Sequence, residues 1–151
     1  MAYQTIRELM ARVRSLHGRL RESVHDARRR ADDERTALLL DFIDQHEAAI
    51  ERAVETVERR GGRAVLDTWL QFEQDAALER AMELREPDAA APSESIVTHL
   101  LETENALIRL YQLLQGSSGS PTVQSFFAGL LEMEDSAVRR SARARLEAVD
   151  L

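Results

Sequence analysis

Apolar residues recur every three or four positions through most of this chain, which is the period of an amphipathic α-helix. The first helical stretch covers about 5–31. A second stretch, capped by Asp32 or Asp33, continues to about residue 60 and ends at Gly61-Gly62, because glycine tolerates left-handed backbone. A third starts at Ser93 or Ser95, and a fourth covers about 121–148 after a turn rich in Gly and Ser. The pattern therefore predicts four long helices.

The two halves of the chain share one pattern when the first is offset by 87 residues (104 − 17). At this offset His17 aligns with Glu104, and Glu47 aligns with Glu134. Apolar residues align at the same offset: Leu20 with Leu107, Val24 with Tyr111, Leu40 with Phe127, Ile43 with Leu130 and Ile50 with Ala137. A repeated helix pair with polar groups facing its own core is how dinuclear metal bundles are built. We therefore expect two duplicated antiparallel hairpins.

The segment between the hairpins, residues 61–92, departs from this pattern. Ala64–Phe72 and Asp75–Leu84 are predicted as one or two short helices, and 85–92 as a linker, because proline disfavours helix at the preceding residue. Trp69 is expected to anchor this crossover on the bundle. The connections are thus short, long and short, as in ferritin-like folds. The predicted fold is all-α, a four-helix bundle in a single domain over 1–151, with hairpins at 5–60 and 93–148.

Composition narrows the possible functions. Apolar residues make up 44% and charged residues 31%, which is typical of a soluble helical protein. The net charge of −7 argues against nucleic acid as a partner, and the absence of cysteine excludes disulfides and iron–sulfur clusters. No apolar run is long enough to span a membrane, and no secretory signal is evident, so we expect a cytoplasmic protein. Dinucleotide, P-loop and Gly-x-Ser-x-Gly motifs do not occur, so hydrolase, kinase and dehydrogenase chemistry gain no support.

Three glutamates stand on apolar stripes: Glu47, Glu104 and Glu134. A buried carboxylate is costly without a partner, so each position calls for a metal ion, a cationic side chain or a proton. Three of them converging on one core would repel one another unless a cation lay between them. The other interpretation is that the helices rotate enough to place these acids at the edge of the core.

Two stretches carry a resemblance to a known family. Residues 101–111 resemble the first helix of a rubrerythrin-type ferritin-like hairpin, and residues 126–134 resemble the second. The first half repeats the scheme more faintly through 16–20 and 40–47. The chain thus resembles the ferritin-like superfamily over both hairpins but not over the crossover.

The resemblance implies a di-iron site that has degenerated. Such a site takes one glutamate from each of two helices and a Glu-x-x-His pair from each of the other two. By this resemblance His17 stands where one of the single glutamates belongs, while Ile50 and Ala137 replace the two histidines. The candidate metal ligands that remain are His17, Glu47, Glu104 and Glu134.

Two functions follow from this departure. The leading hypothesis is a non-catalytic ferritin-like protein with a vestigial metal site and no cofactor, in which His17 pairs with Glu104 or Glu47 and the chain acts as a structural or interaction module. The alternative is a protein that binds iron, manganese or zinc, with redox activity related to iron or oxidative stress. Tyr111 is expected in the core with its hydroxyl paired.

A homodimer is the partner that the resemblance suggests. Leu38, Leu39 and Phe42 flank the main stripe of the second helix and could form its contact face. They could equally widen the core stripe, because long helices often bury more than half of their circumference. His46 is expected as a helix-flank residue with one solvated nitrogen.

Overall fold

The computed structural model describes residues 2–72 and 93–150 of the chain. Helices dominate these residues, which confirms the predicted all-α class, and two short strands are added to them. The elements in chain order are β1 (Ala2–Thr5), α1 (Ile6–Arg30), α2 (Glu34–Leu66), β2 (Trp69–Phe72), α3 (Ser93–Ser117) and α4 (Pro121–Asp150). None of the helices within these ranges carries an apolar stretch long enough to cross a bilayer.

Side-chain caps set the starts of the first two helices. Thr5 and Glu8 form a capping box, in which the Glu8 amide donates to the Thr5 hydroxyl at 3.2 Å and the Thr5 amide donates to the Glu8 carboxylate at 3.3 Å. Asp33 accepts from the Thr36 amide at 2.8 Å, which confirms one of the two predicted caps of α2.

The regular course of α2 is broken at the glycine pair, as predicted, but a further helical turn follows the break. Gly62 has φ 74° and ψ 173°, a backbone conformation almost restricted to glycine, and the helix resumes beyond this kink as far as Leu66. Gly61 has a different role, because a Cβ there would lie 3.0 Å from the Phe126 ring on α4. The pair therefore combines a kink with a close approach between two helices.

The helix predicted over Ala64–Phe72 is wrong in its second half. Trp69–Phe72 is a strand, antiparallel to Ala2–Thr5, with Thr5 opposite Trp69. Trp69 is 64% exposed and therefore does not anchor the crossover, whereas its neighbour Leu70 is buried in the core. The predicted helix Asp75–Leu84 and the linker 85–92 lie outside the described residues.

The four helices pack around a common core. α1 contacts α2 and α3, and α4 contacts α2 and α3. Ion pairs from Arg7 to Asp67 and from Arg28 to Asp41 show that α1 and α2 run antiparallel. Gly61 lies against Phe126 and Gly129 faces Val57, which shows the same for α2 and α4.

A layer of buried polar residues divides the core in two. One buried polar residue on α1, one on α2, and the pair Thr103 and Glu104 on α3 separate the apolar residues of the first cluster from those of the second. The first cluster contains Ile6, Leu9, Met10, Val13, Leu16, Ile50, Val54, Val65, Leu70, Ala106, Leu107, Leu110, Tyr111, Leu114, Val123, Phe126, Phe127 and Leu130. The second contains Val24, Ala27, Leu40, Ile43, Ile96 and Leu100. Charged groups thus lie in the middle of the core.

Arginines spaced seven residues apart join α1 to α2 along one side. A seven-residue step is two helical turns, so these side chains share one edge of α1. The pairs are Arg7 with Asp67, Arg14 with Glu58, Arg21 with Asp44 and Glu51, and Arg28 with Asp41. We call this set the arginine ladder.

The two glycines of α1 and α2 that have open space around them respond oppositely to alanine. Gly62→Ala places an alanine in a positive-φ backbone conformation, which lowers the free energy of unfolding by about 1–3 kcal/mol. Gly18 lies inside α1 with no atom within 4 Å of an added Cβ, so Gly18→Ala increases the free energy of unfolding by about 1 kcal/mol through helix propensity. Urea denaturation of both variants measures this difference. A neutral Gly62→Ala would mean that the kink is absent in solution.

Candidate functional site

Four ionisable side chains, one from each helix, meet in the polar layer. His17 comes from α1, Glu47 from α2, Glu104 from α3 and Glu134 from α4, and none is more than 1% exposed. We call them the buried cluster. The interpretation that placed the glutamates at the edge of the core is therefore wrong. Each of the four lies on the apolar stripe of its helix, so the packing that buries the stripe also buries the polar residue.

His17 joins two of the glutamates through its two ring nitrogens. Nδ1 lies 2.9 Å from Glu47 Oε2, and Nε2 lies 2.9 Å from Glu134 Oε1. An ionised carboxylate only accepts hydrogen bonds, so both nitrogens must donate, and the ring is an imidazolium. The predicted pairing of His17 with Glu47 is confirmed, and its second partner is Glu134 rather than Glu104.

The charges around His17 outweigh the effect of its burial on the pKa. Burial alone lowers the pKa of a histidine, because it disfavours the charged form. The negative charges of Glu134 and Glu47 and their hydrogen bonds act in the opposite sense, and the pKa of His17 is raised well above 6.5. The imidazolium is therefore the form held at neutral pH.

The pKa values of Glu104 and Glu47 are shifted in opposite directions, which assigns the proton between them to Glu104. Burial, the hydrogen bond with Glu47 and the charges of Glu47 and Glu134 raise the pKa of Glu104 well above 4.5. Burial acts to raise the pKa of Glu47 as well, but the hydrogen bond from Glu104 and the charge of His17 outweigh it and lower that pKa. Glu104 is thus a neutral acid that donates to the Glu47 carboxylate.

Two bound protons therefore limit the charge of the cluster. One makes His17 positive and the other makes Glu104 neutral, so the cluster carries less negative charge than three carboxylates alone would give it. Loss of both protons would leave a charge of −3 in the core, which is prohibitive without a cation. Either protons or a metal ion must occupy this position.

Several oxygens near the cluster have no other partner among the described residues. They are Glu47 Oε1, Glu134 Oε2, the Tyr111 hydroxyl and, apart from the shared proton, both oxygens of Glu104. The prediction that the Tyr111 hydroxyl is paired is therefore wrong. Burial and the charges of Glu134 and Glu58 raise the pKa of Tyr111 well above 10, so it stays a neutral phenol.

The cluster does not fit a pair of metal ions. Both nitrogens of His17 face carboxylates, and the buried side chain of Ile50 stands where the resemblance expects a histidine. The residue at the other such position, Ala137, belongs to α4, and its side chain is not among those that the structure describes. Among the side chains that the structure describes, no group of three or more from His, Asp or Glu is arranged to hold a metal ion.

Sequence reasoning missed one residue that acts on the cluster. Arg21, a member of the arginine ladder, helps to lower the pKa of Glu47 while it pairs with Asp44 and Glu51 at 3.3 and 3.1 Å. The signal was present in the sequence, because Arg7, Arg14, Arg21 and Arg28 recur every seven residues.

The remaining candidate residues lie outside the cluster. His46 is half-buried at the junction of α2 and α4, where its ring contacts Phe42 edge-on. Leu39 packs against the second core cluster and so widens the core stripe. Leu38 and Phe42 are 59% and 37% exposed, so these two lie on the surface and do not widen the core stripe.

Comparisons with protein-family models, with curated proteins and with solved structures find no match to this chain. The resemblance to ferritin-like proteins therefore stays a prediction from the sequence. What the buried cluster does has to be derived from its own residues.

The raised pKa of His17 makes stability depend on pH in a defined direction. Its contribution is fully present below the unfolded pKa of about 6.5 and is lost as the pH rises through the folded pKa. The raised pKa of Glu104 also makes stability fall as the pH rises, and this loss begins above the unfolded pKa of about 4.5. We expect the free energy of unfolding, from urea denaturation between pH 6 and 10, to fall as the pH rises.

His17→Gln is the matched variant for this measurement, because glutamine cannot take up the proton that makes His17 positively charged. Its unfolding free energy should fall less steeply above pH 6.5 than that of the parent chain. Equal slopes for the two proteins would contradict the imidazolium assignment.

Proposed function

We propose that this chain is a non-catalytic, ferritin-like four-helix protein in which an imidazolium has taken the place of a metal site, and that it serves as a structural or interaction module. The observation that carries this proposal is the His17 ring, which lies between Glu47 and Glu134 with both contacts at 2.9 Å. A cation is already present where the three carboxylates meet.

The cluster acts as a tie between helices. His17 links α1 to α2 and α4 through its two hydrogen bonds, and the proton of Glu104 links α3 to α2. Hydrogen bonds that involve ionised groups are stronger than neutral ones, and a low dielectric strengthens them further. One connected set of charges thus fixes how all four helices pack.

The burial of the cluster supports a role without catalysis. None of its four side chains is more than 1% exposed, so a substrate has no contact with them in this conformation. A general acid or base must come within hydrogen-bond reach of the group that it serves. The surface is then where this protein acts, and the exposed Leu38 and Phe42 make a second copy of the chain a candidate partner.

The alternative function, metal binding, has one observation in its favour. Glu47, Glu104 and Glu134 all carry buried oxygens without a partner other than the shared proton. Carboxylates and an imidazole are suitable ligands for iron, manganese or zinc. A single ion would have to displace protons from Glu104 and His17, so its binding would weaken at low pH.

Elemental analysis distinguishes these two functions. The protein is purified without chelator or nickel resin, then dialysed against iron, manganese or zinc, with Glu134→Ala as the variant. We expect no ion to be retained by either protein after buffer exchange. One ion per chain that is lost in Glu134→Ala would establish the alternative, and two ions per chain would overturn the proposal.

Removing one charge from the cluster should cost more than removing all of them. His17→Leu leaves Glu47 and Glu134 without their cation, and breaking a buried ion pair in this way costs about 3–5 kcal/mol. Replacing all four residues together by Leu or Met leaves no unpaired charge, and such replacements are often neutral or stabilising. Thermal and urea denaturation measure both effects.

The exposed Glu102→Leu on α3 is the control, and its unfolding free energy should change by less than about 0.5 kcal/mol. If the fourfold variant were less stable than His17→Leu, the cluster would not be a replaceable ion-pair network.

A further inference from the structure

A groove runs along the outer junction of α2 and α4. Its cavity has a volume of about 350 Å³, within the range of sites for small molecules. Ala49, Ile50, Ala53 and Met133 form its apolar part, and His46, Ser136, Arg140 and Glu132 supply its polar groups. A second hollow of about 310 Å³, lined by Ser136, Arg139, Arg140 and Arg143, adjoins it.

The groove has a cationic end and an apolar end. Gly129 faces Val57 and α2 runs antiparallel to α4, so Arg140 lies level with His46 and Met133 lies level with Ala53. Arg143 lies one turn further, beyond the His46 end. Ala53 is seven residues from His46, which is about 10 Å along the helix. Positive charge and apolar surface are thus separated along the length of the groove.

Two arginines at the cationic end have no acidic partner among the described residues. Arg139 pairs with Asp135 at 2.9 Å, but Arg140 and Arg143 pair with no carboxylate there. The arginine ladder of α1, by contrast, is fully paired. Guanidinium groups that have no acidic partner among the described side chains and that line a hollow in a chain of net charge −7 are suited to hold a carboxylate or phosphate head.

We propose that the α2–α4 groove binds a small organic anion with an apolar body, of the class of a medium-chain acyl carboxylate. Arg140 and Arg143 hold the head, and Ser136 and His46 add hydrogen-bond donors beside it. The body lies on Ile50, Ala53 and Met133. Glu132 also lines the groove and is adjacent to Met133 on α4. Its carboxylate repels an anionic head group from the apolar end. This site is separate from the buried cluster and does not depend on whether the cluster holds protons or metal.

Decanoate is the probe, because its chain matches the 10 Å between the two ends. The protein is labelled with ¹³C in its methionine methyl groups, and decanoate is added at pH 7 below its micellar concentration. Met133 in the groove should shift in a saturable manner, while Met10 in the first core cluster should not. Acetate, which lacks the body, and decanol, which lacks the charge, should each bind at least tenfold more weakly.

Three variants assign the binding to the groove. Arg140→Gln should weaken decanoate binding about tenfold, because a charged hydrogen bond contributes roughly the free energy of a tenfold change in affinity. Arg29→Gln, which makes the same change in net charge on α1, should leave the affinity within a factor of two. Ala53→Leu fills the apolar end and should weaken decanoate binding without removing any cation.

Three outcomes would overturn the proposal. The first is a Met133 signal that does not move or that responds equally to decanol. The second is an equal loss of affinity in Arg140→Gln and Arg29→Gln, which would indicate a general effect of charge. The third is a dimer in sedimentation equilibrium that Arg140→Gln dissociates and decanoate does not, since the groove would then take a second copy of the chain.

Discussion

One buried cation determines how the rest of this protein is organised. Taking an imidazolium and two carboxylates out of water is unfavourable by several kcal/mol per ion, and the loss is recovered only when each charge meets its partner at hydrogen-bond distance. His17 meets Glu47 and Glu134 at 2.9 Å through opposite sides of one ring. The ring position is therefore fixed relative to α1, α2 and α4 at once. A helix that rotated by one residue would turn its charge about 100° away from the others.

The two apolar clusters depend on this constraint as much as they support it. Apolar surfaces attract one another without direction, so four amphipathic helices of similar length could pack in several registers. The polar layer penalises most of them, because a slipped register would bury an unpaired charge. The arginine ladder adds a second, weaker constraint at the surface, since its acidic partners are matched only when α1 and α2 run antiparallel in this register.

The burial of the cluster was predictable from the sequence, while its pairing was only partly so. A helical stripe reports which side of a helix faces the core, so Glu47, Glu104 and Glu134 could be placed inside from local spacing alone. Which of them meets the imidazole depends on the rotation and offset of separate helices. The strand at Trp69–Phe72 was missed for the same kind of reason, because its hydrogen-bond partner lies more than 60 residues away at Ala2–Thr5. The helix predicted over 64–72 was based on local residue spacing alone.

The arginine ladder also has a consequence for how water reaches the core. Separating α1 from α2 breaks every pair of the ladder along with the His17–Glu47 hydrogen bond. No surface ion pair joins α2 to α4 within the described residues, and that junction is built with the small residues Ala53, Gly61 and Gly129. Opening the bundle between α2 and α4 therefore breaks no surface ion pair among the described residues, in contrast to opening between α1 and α2. Water that reaches the two buried protons by this route passes Ile50 and Met133, which line the α2–α4 junction.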